Sequence, residues 1–283
     1  SIGYELLDNN RKVVANGEET VDVLAGKEGT VSFSKELAEV KTWTSEAPNL
    51  YKLLMTVKEN GKVTEVIPYH VGFRRIEIKE IDQKGTNGKN YHVLFINGQP
   101  LKLKGVNIHE HNPLTGHYVD EALMRKDLEL MKRNNINTVR LCHYPQDRRF
   151  YELCDEYGIY MIDETNLESH GSWDVAEFTK DYTHVVPHNK PEWLDMMLDR
   201  ANSMYQRDKN HPAILIWSCG NESFGGKVIF EMSQLYRKMD PTRLVHYEGV
   251  NDDRRYNDTS DMESRMYASP ASIREYLDAD PKK

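Results

Sequence analysis

The sequence predicts an α/β fold, a parallel sheet with helical crossovers, preceded by an antiparallel β-sandwich. Two observations carry this. From residue 101 onward, apolar strand candidates alternate with amphipathic helix candidates five to six times, the pattern of repeated βα units. Residues 1 to about 80 instead hold short β-prone runs separated by turn signals, a spacing that suits a sandwich. The alternation is compatible with an open doubly wound sheet and with a closed (β/α)8 barrel. No G-x-G-x-x-G follows the first strand, so the dinucleotide-binding version loses weight.

In chain order, the β-prone runs are YELLD (4–8), TVSFS (30–34), LYKLLMTVKE (50–59) and VTEVIPYHVGFRRIEI (63–78). Asn9-Asn10, Asn16-Gly17, Gly26 to Gly29 and Asn60-Gly61 mark the turns between them. Asn60-Gly61 reads as a two-residue hairpin turn. The polar stretch 82–90 reads as a loop near a domain boundary, which places one domain at 1–80 and a second at 81–283. A hairpin turning at Asn97-Gly98 follows. Parallel strands are expected at 101–108, 136–142, 159–163, 213–219, 244–248 and 261–268. Helices are expected at 121–133, 147–157, 192–206 and 228–239, where apolar residues recur at +3/+4 spacing and build one buried stripe each. Asp120 and Asp147 are placed to cap the first two helices. The segment SIREYLDADPKK (272–283) reads as the start of a further helix.

The bulk properties narrow the partners. A formal net charge of −8 argues against nucleic acid. No run approaches the roughly 20 apolar residues that span a bilayer, so no membrane partner is expected. Sixteen Tyr and four Trp suit core packing and sugar stacking equally well. Cys142, Cys154 and Cys219 are an odd number without metal-type spacing, and each reads as a small buried apolar residue. No signal peptide is visible at the start, but SIGYELLDNN reads as the middle of a longer chain, and no compartment follows from it.

A barrel carries its chemistry where its strands end, and the polar residues gather there. The first strand is followed by His109-Glu110-His111-Asn112 and the second by His143-Tyr144-Pro145. The third ends in Asp163-Glu164-Thr165-Asn166, then Glu168 and His170. Asn221-Glu222 closes the fourth and Glu248 the fifth. Taken singly, each reads more readily as a structural hydrogen-bonding residue; jointly they read as one site. A carboxyl at the mouth of a low-dielectric pocket can hold a proton near neutral pH and deliver it to a leaving group. Asn221 beside it can offer an amide to a hydroxyl. Such a pair serves the cleavage of an acetal.

GVNIHEHNPLTG (105–116), VRLCHYPQDRRFYELCDEYGIYMIDETNLESHG (139–171), QRDKNHPAILIWSCGNES (206–223) and VGFRRIEI (71–78) together closely resemble the β-galactosidases of glycoside hydrolase family 2. The resemblance runs along the whole chain. It implies a partial (β/α)8 TIM barrel of about six βα units, preceded by the later part of an immunoglobulin-like sandwich. It also implies roles. Glu222 matches the general acid/base, and Asn221 the neighbour that binds the sugar 2-hydroxyl. Glu168, His170 and Glu222 match the ligands of a Mg²⁺ ion, with Mn²⁺ the alternative occupant. His109 and His143 match the histidines that hold galactosyl hydroxyls and stabilise the transition state. Na⁺ and a homo-oligomeric assembly are implied for the longer protein. Where the best-known bacterial member of the family has a further His, this chain has Asn112, at the edge of the subsite. The Glu-x-His of NLESHG and the HEH after the first strand favour a galactoside over a glucuronide; β-glucuronidase and β-mannosidase are the alternatives within the family, and a non-catalytic sugar-binding remnant outside it.

Retaining glycosidases need two carboxylates about 5–5.5 Å apart. The family's nucleophile ends the seventh strand in a Cys-Glu-Tyr-like stretch, and no such stretch occurs here. The expectation is a segment that carries the acid/base without the nucleophile, lacks strands seven and eight, and does not hydrolyse glycosides alone. Two exposed sheet edges are then expected to need a partner segment or self-association.

Overall fold

The computed structural model describes residues 1–85 and 88–279. Four antiparallel strands, β1 (Ile2–Leu7), β2 (Val13–Glu19), β3 (Tyr51–Glu59) and β4 (Lys62–Val71), form a sheet in the order β2-β1-β3-β4. Asn60 (φ 49°) and Gly61 (φ 76°) join β3 to β4. Both are left-handed, which makes the tight turn whose twist matches its strands. Leu6, Ala15 and Tyr51 are buried on one face, covered in part by Leu37, Val40 and Phe73.

The run 30–34 forms no strand, contrary to its β-prone composition. Phe33 packs its ring on Tyr4 at 4.8 Å instead. β-Propensity reports fit to a pleated surface, and here the apolar side chain finds that surface without joining a ladder.

A second sheet holds β5 (Ile76–Lys84), β6 (Asn90–Ile96) and β7 (Gln99–Pro100). Asn97 (φ 50°) and Gly98 (φ 80°) turn the second hairpin as expected. Residues 82–84, expected in a loop, continue β5, so this strand runs across the expected boundary at residue 80. Thr86 and Asn87 of that loop lie outside the described residues.

The parallel sheet contains β8 (Gly105–Ile108), β9 (Thr138–Leu141), β10 (Tyr160–Glu164), β11 (Ile214–Ser218) and β12 (Leu244–His246), in the order β12-β11-β10-β9-β8. The helices are α1 (Glu121–Arg133), α2 (Arg148–Tyr157), α3 (Asp174–Thr179), α4 (Leu194–Asp208), α5 (Lys227–Met239) and α6 (Pro270–Asp278). Asp120 accepts from Leu123 N–H at 2.8 Å and Asp147 from Arg149 N–H at 2.7 Å; both cap as expected. The stripes Met124/Leu128/Met131 and Met197/Ala201/Met204 are buried. Every residue of β11 is buried, as suits the strand with neighbours on both sides and α4 and α5 packed on each other beside it.

The sheet has five parallel strands among the described residues, not six. The expected strand 261–268 is irregular. Asp261 N–H reaches Val245 O at 2.8 Å, but Val245 N–H donates to the Asp261 carboxylate at 2.7 Å. A side chain thus takes the donor that a sixth strand would have used, and the ladder stops. This contact covers Val245 on the β12 edge, whereas on the β8 edge Gly105, Val106 and Asn107 are exposed.

The sandwich-like part is keyed to the bottom of the barrel part. Trp43 is fully buried and its indole N–H donates to Asp155 O at 2.9 Å. Arg74 donates to Pro212 O at 2.6 Å and Ile214 O at 2.9 Å. Gly158 (φ 70°) ends α2; a Cβ there would lie 2.6 Å from Ser45 O, so any side chain would force the two parts apart.

Candidate active site

Strand register builds the site. Ile108 pairs with Leu141 across β8 and β9, so the next residues, His109 on one strand and Cys142-His143 on the other, leave the sheet side by side. The rings of His109 and His143 meet edge to face at 5.3 Å. The Cys142–His143 peptide is cis. Glu164, Ser218 and His246 are in register across β10, β11 and β12, and in a parallel sheet laterally paired residues share a face.

Glu164 is the centre of this layer and is completely buried. Arg140 holds both its oxygens, at 2.7 Å and 3.0 Å; His143 Nδ1 lies 2.7 Å from Oε1; and Ser218 donates to Oε2 at 2.7 Å. Burial pushes the Glu164 carboxyl up. The bond to His143 and the charge of Arg140 outweigh that and leave it below its ordinary value. An isolated buried carboxylate would neutralise itself; this one is paired and saturated. His246, 3.0 Å from Ser218 Oγ, is pushed down to about 4 by burial and is a neutral ring.

The network continues outward. Arg140 also donates to Asn221 Oδ1 at 2.7 Å, and Asn221 Nδ2 donates to Glu168. Asn221 N–H binds Leu167 O at 2.9 Å. Glu222 is therefore presented from a tethered strand end. Its backbone is left-handed (φ 32°), a conformation that costs a non-glycine residue about 1 kcal/mol or more. Two clamps hold it there. Glu222 N–H donates to Glu248 Oε1 at 2.5 Å, and Glu222 O accepts from the Trp173 indole at 2.8 Å. The Glu222 carboxylate pairs with His170 Nδ1, and the His170 ring stacks on Trp173 at 4.7 Å. One donor atom each of Glu168, His170 and Glu222 lies within 4.8 Å of the others. Two carboxylates and an imidazole, close-set and partly open to solvent, fit a hard cation that keeps several waters.

The six site residues expected from sequence thus fall on one rim with Glu164: His109 and His143 at one end, Glu168, His170 and Glu222 at the other, and Asn221 and Glu164, both bonded to Arg140, between. Other polar rim residues are used differently. Glu110 accepts from Asp147 N–H at 2.7 Å and Asn112 from Leu114 N–H at 2.9 Å; both brace turns. Asp163 points to the far face of β10, where Tyr151 donates to it at 2.8 Å. Arg140, Ser218 and His246 were not singled out. Arg140 had a readable signal, since a charge inside an apolar strand must find a partner.

Glu248 also belongs to the site. Burial pushes its carboxyl up to about 7. The sign follows from this: a carboxyl raised in the folded state contributes stability at low pH that is lost as pH rises through about 7. Glu248→Gln keeps an oxygen for Glu222 N–H and removes the ionisation. The variant is expected to match the parent near pH 5 and to be more stable on the order of 2 kcal/mol near pH 8. Thermal unfolding at the two pH values checks this; a difference independent of pH would contradict it.

Titratable side chains converging on the C-terminal rim of parallel strands with helical crossovers are the layout of an α/β-barrel enzyme. The comparisons with known proteins make the class specific. Residues 89–283 match Glycosyl hydrolases family 2, TIM barrel domain, and residues 1–74 match Glycosyl hydrolases family 2. The chain belongs to glycosyl hydrolase family 2. It is 47% identical over 281 residues to a β-galactosidase of Halalkalibacterium halodurans, covering 99% of this chain and 26% of that protein. It is 46% identical over 272 residues to a β-galactosidase of Streptococcus thermophilus, covering 96% of this chain and 25% of that protein. Among solved structures, a β-glycosidase from Bacteroides vulgatus superposes with a TM-score of 0.68 at 26% identity, over 89% of this chain and 29% of that one. The chain spans about a quarter of the length of these curated relatives.

Proposed function

We propose that the chain is the segment of a retaining β-galactosidase that carries the general acid/base, Glu222, and not the nucleophile. The observation that supports this best is the placement of Glu222 and Asn221 on one rim with the His109–His143 pair, within a chain 46–47% identical to two β-galactosidases. Glu222 donates its proton to the leaving glycosidic oxygen and then takes one from water. Its clamped backbone limits where that carboxyl can reach. Asn221, oriented by Arg140 and Glu168, keeps an amide hydrogen for the sugar 2-hydroxyl. His143 spends Nδ1 on Glu164 and turns Nε2 toward the pocket, where it and His109 hold galactosyl hydroxyls. Glu168, His170 and Glu222 are the residues that would hold Mg²⁺, or Mn²⁺ in its place. When bound there, the ion would supply positive charge beside the Glu222 carboxylate.

Neither of the other central carboxylates suits the nucleophile's role. Glu164 is saturated by Arg140, His143 and Ser218, and Glu248 is committed to the Glu222 amide. The nucleophile is assigned to sequence beyond this segment in the longer protein. A fluorinated β-galactosyl fluoride that traps the glycosyl-enzyme tests the whole reading on that longer protein. The expected result is inactivation, with the sugar on a carboxylate outside these 283 residues, and no inactivation by the β-glucuronyl counterpart. A label on Glu248 or Glu164, or preferential trapping by the glucuronyl reagent, would overturn it.

A further inference from the structure

We propose that His109, Cys142 and His143 form a second cation site, for a borderline-soft divalent ion of the zinc class. One donor atom from each of the three lies within 4.8 Å of the others. Register makes this happen: Cys142 N–H bonds Ile108 O at 3.1 Å, which sets the end of β9 directly beside His109. The set is chemically distinct from Glu168, His170 and Glu222. Two imidazoles and a sulfur suit zinc or cobalt, whereas oxygen-rich sets suit magnesium.

The surroundings match what such an ion needs. A ligating imidazole is usually oriented by a carboxylate on its other nitrogen, and Glu164 sits 2.7 Å from His143 Nδ1, leaving Nε2 for the metal. Cys142 is buried and its Sγ makes only a weak bond to Arg140 O at 3.6 Å; burial pushes its thiol up to about 11, so the charge of the ion has to drive the deprotonation. His109 is exposed, which leaves room for a water as fourth ligand. Tetrahedral zinc distances set donor separations of about 3.4–3.6 Å, against donor atoms here within 4.8 Å of one another, and the exposed His109 ring is the group with room to adjust. On binding, the Cys142 S–H proton passes to solvent and a sulfur–metal bond forms with no change of oxidation state. The ion would fill the place where the proposed function puts sugar hydroxyls; that consequence alone rests on the galactosidase reading.

Cobalt(II) is the probe, added to the full-length protein in excess Mg²⁺ so that the oxygen-rich site is saturated. The expected result is a sulfur-to-cobalt charge-transfer absorption together with visible bands of tetrahedral intensity. Cys142→Ser and Cys142→Ala are each expected to abolish the charge-transfer band while keeping the parent's circular dichroism. His109→Ala is expected to weaken cobalt binding at least ~10-fold, and His117→Ala to leave it unchanged. A parent protein without the band, or a band that survives both Cys142 substitutions, would overturn the site. The spectra do not depend on turnover, so they remain informative if the galactosidase reading fails.

Discussion

Glu222→Gln in the full-length protein is expected to lower turnover of a galactoside with a poor leaving group by about 10²- to 10⁴-fold. Gln is nearly isosteric and keeps both backbone clamps, Glu222 N–H to Glu248 and Glu222 O to Trp173, so the loss reports chemistry more than folding. The deficit should shrink for a nitrophenyl leaving group, which needs little protonation. Azide should then restore turnover and yield galactosyl azide, because an anionic nucleophile needs no general base to accept the glycosyl group. Equal losses on both substrates, without an azide product, would remove Glu222 from the acid/base role.

Arg140→Met is expected to cost about 3–5 kcal/mol of stability, a fall in melting temperature of roughly 10 °C. Arg140 is the only guanidinium bonded to Glu164 among the described residues, and Glu164 has no exposure to water. Removing the cation leaves a buried carboxylate held only by His143 and Ser218. The pH dependence carries the sign of the pair. Glu164 is held below its ordinary value, so its contribution is present above about pH 4.5 and is lost as pH falls through the folded value. The variant should therefore unfold at a higher pH on acidification. Arg140→Met also frees Asn221 Oδ1, so substrate affinity should fall even at temperatures where the variant is folded. A melting temperature within about 1 °C of the parent would show that the pair contributes little.

The rim of the site was legible because strand ends are marked in sequence. An apolar run such as AILIWSC stops where the strand stops, and Asn221-Glu222 stands just beyond it. Glu164 was visible in the same way. Its role was not, since nothing in the local spacing says that Arg140, His143 and Ser218 all reach one carboxylate. The sixth strand failed for a related reason. The composition of 261–268 is strand-like, but whether it pairs depends on Asp261 turning its own carboxylate onto Val245 N–H. The Phe33 segment likewise spends its apolar side chain on Tyr4 without entering a ladder.

The sequence alone determined the alternation of strand and helix, the two Asn-Gly hairpins, the helix caps and the identity of the polar residues at strand ends. These are local properties, set by periodicity of 2 or 3.6 residues and by backbone preferences within a few positions. Only the tertiary structure decided which of those polar residues share a partner: Glu222 with Glu248 and His170, and Glu164 with Arg140, His143 and Ser218. The reason is that side-chain convergence in a parallel sheet depends on inter-strand register, which links residues tens of positions apart through hydrogen bonds that no local pattern records.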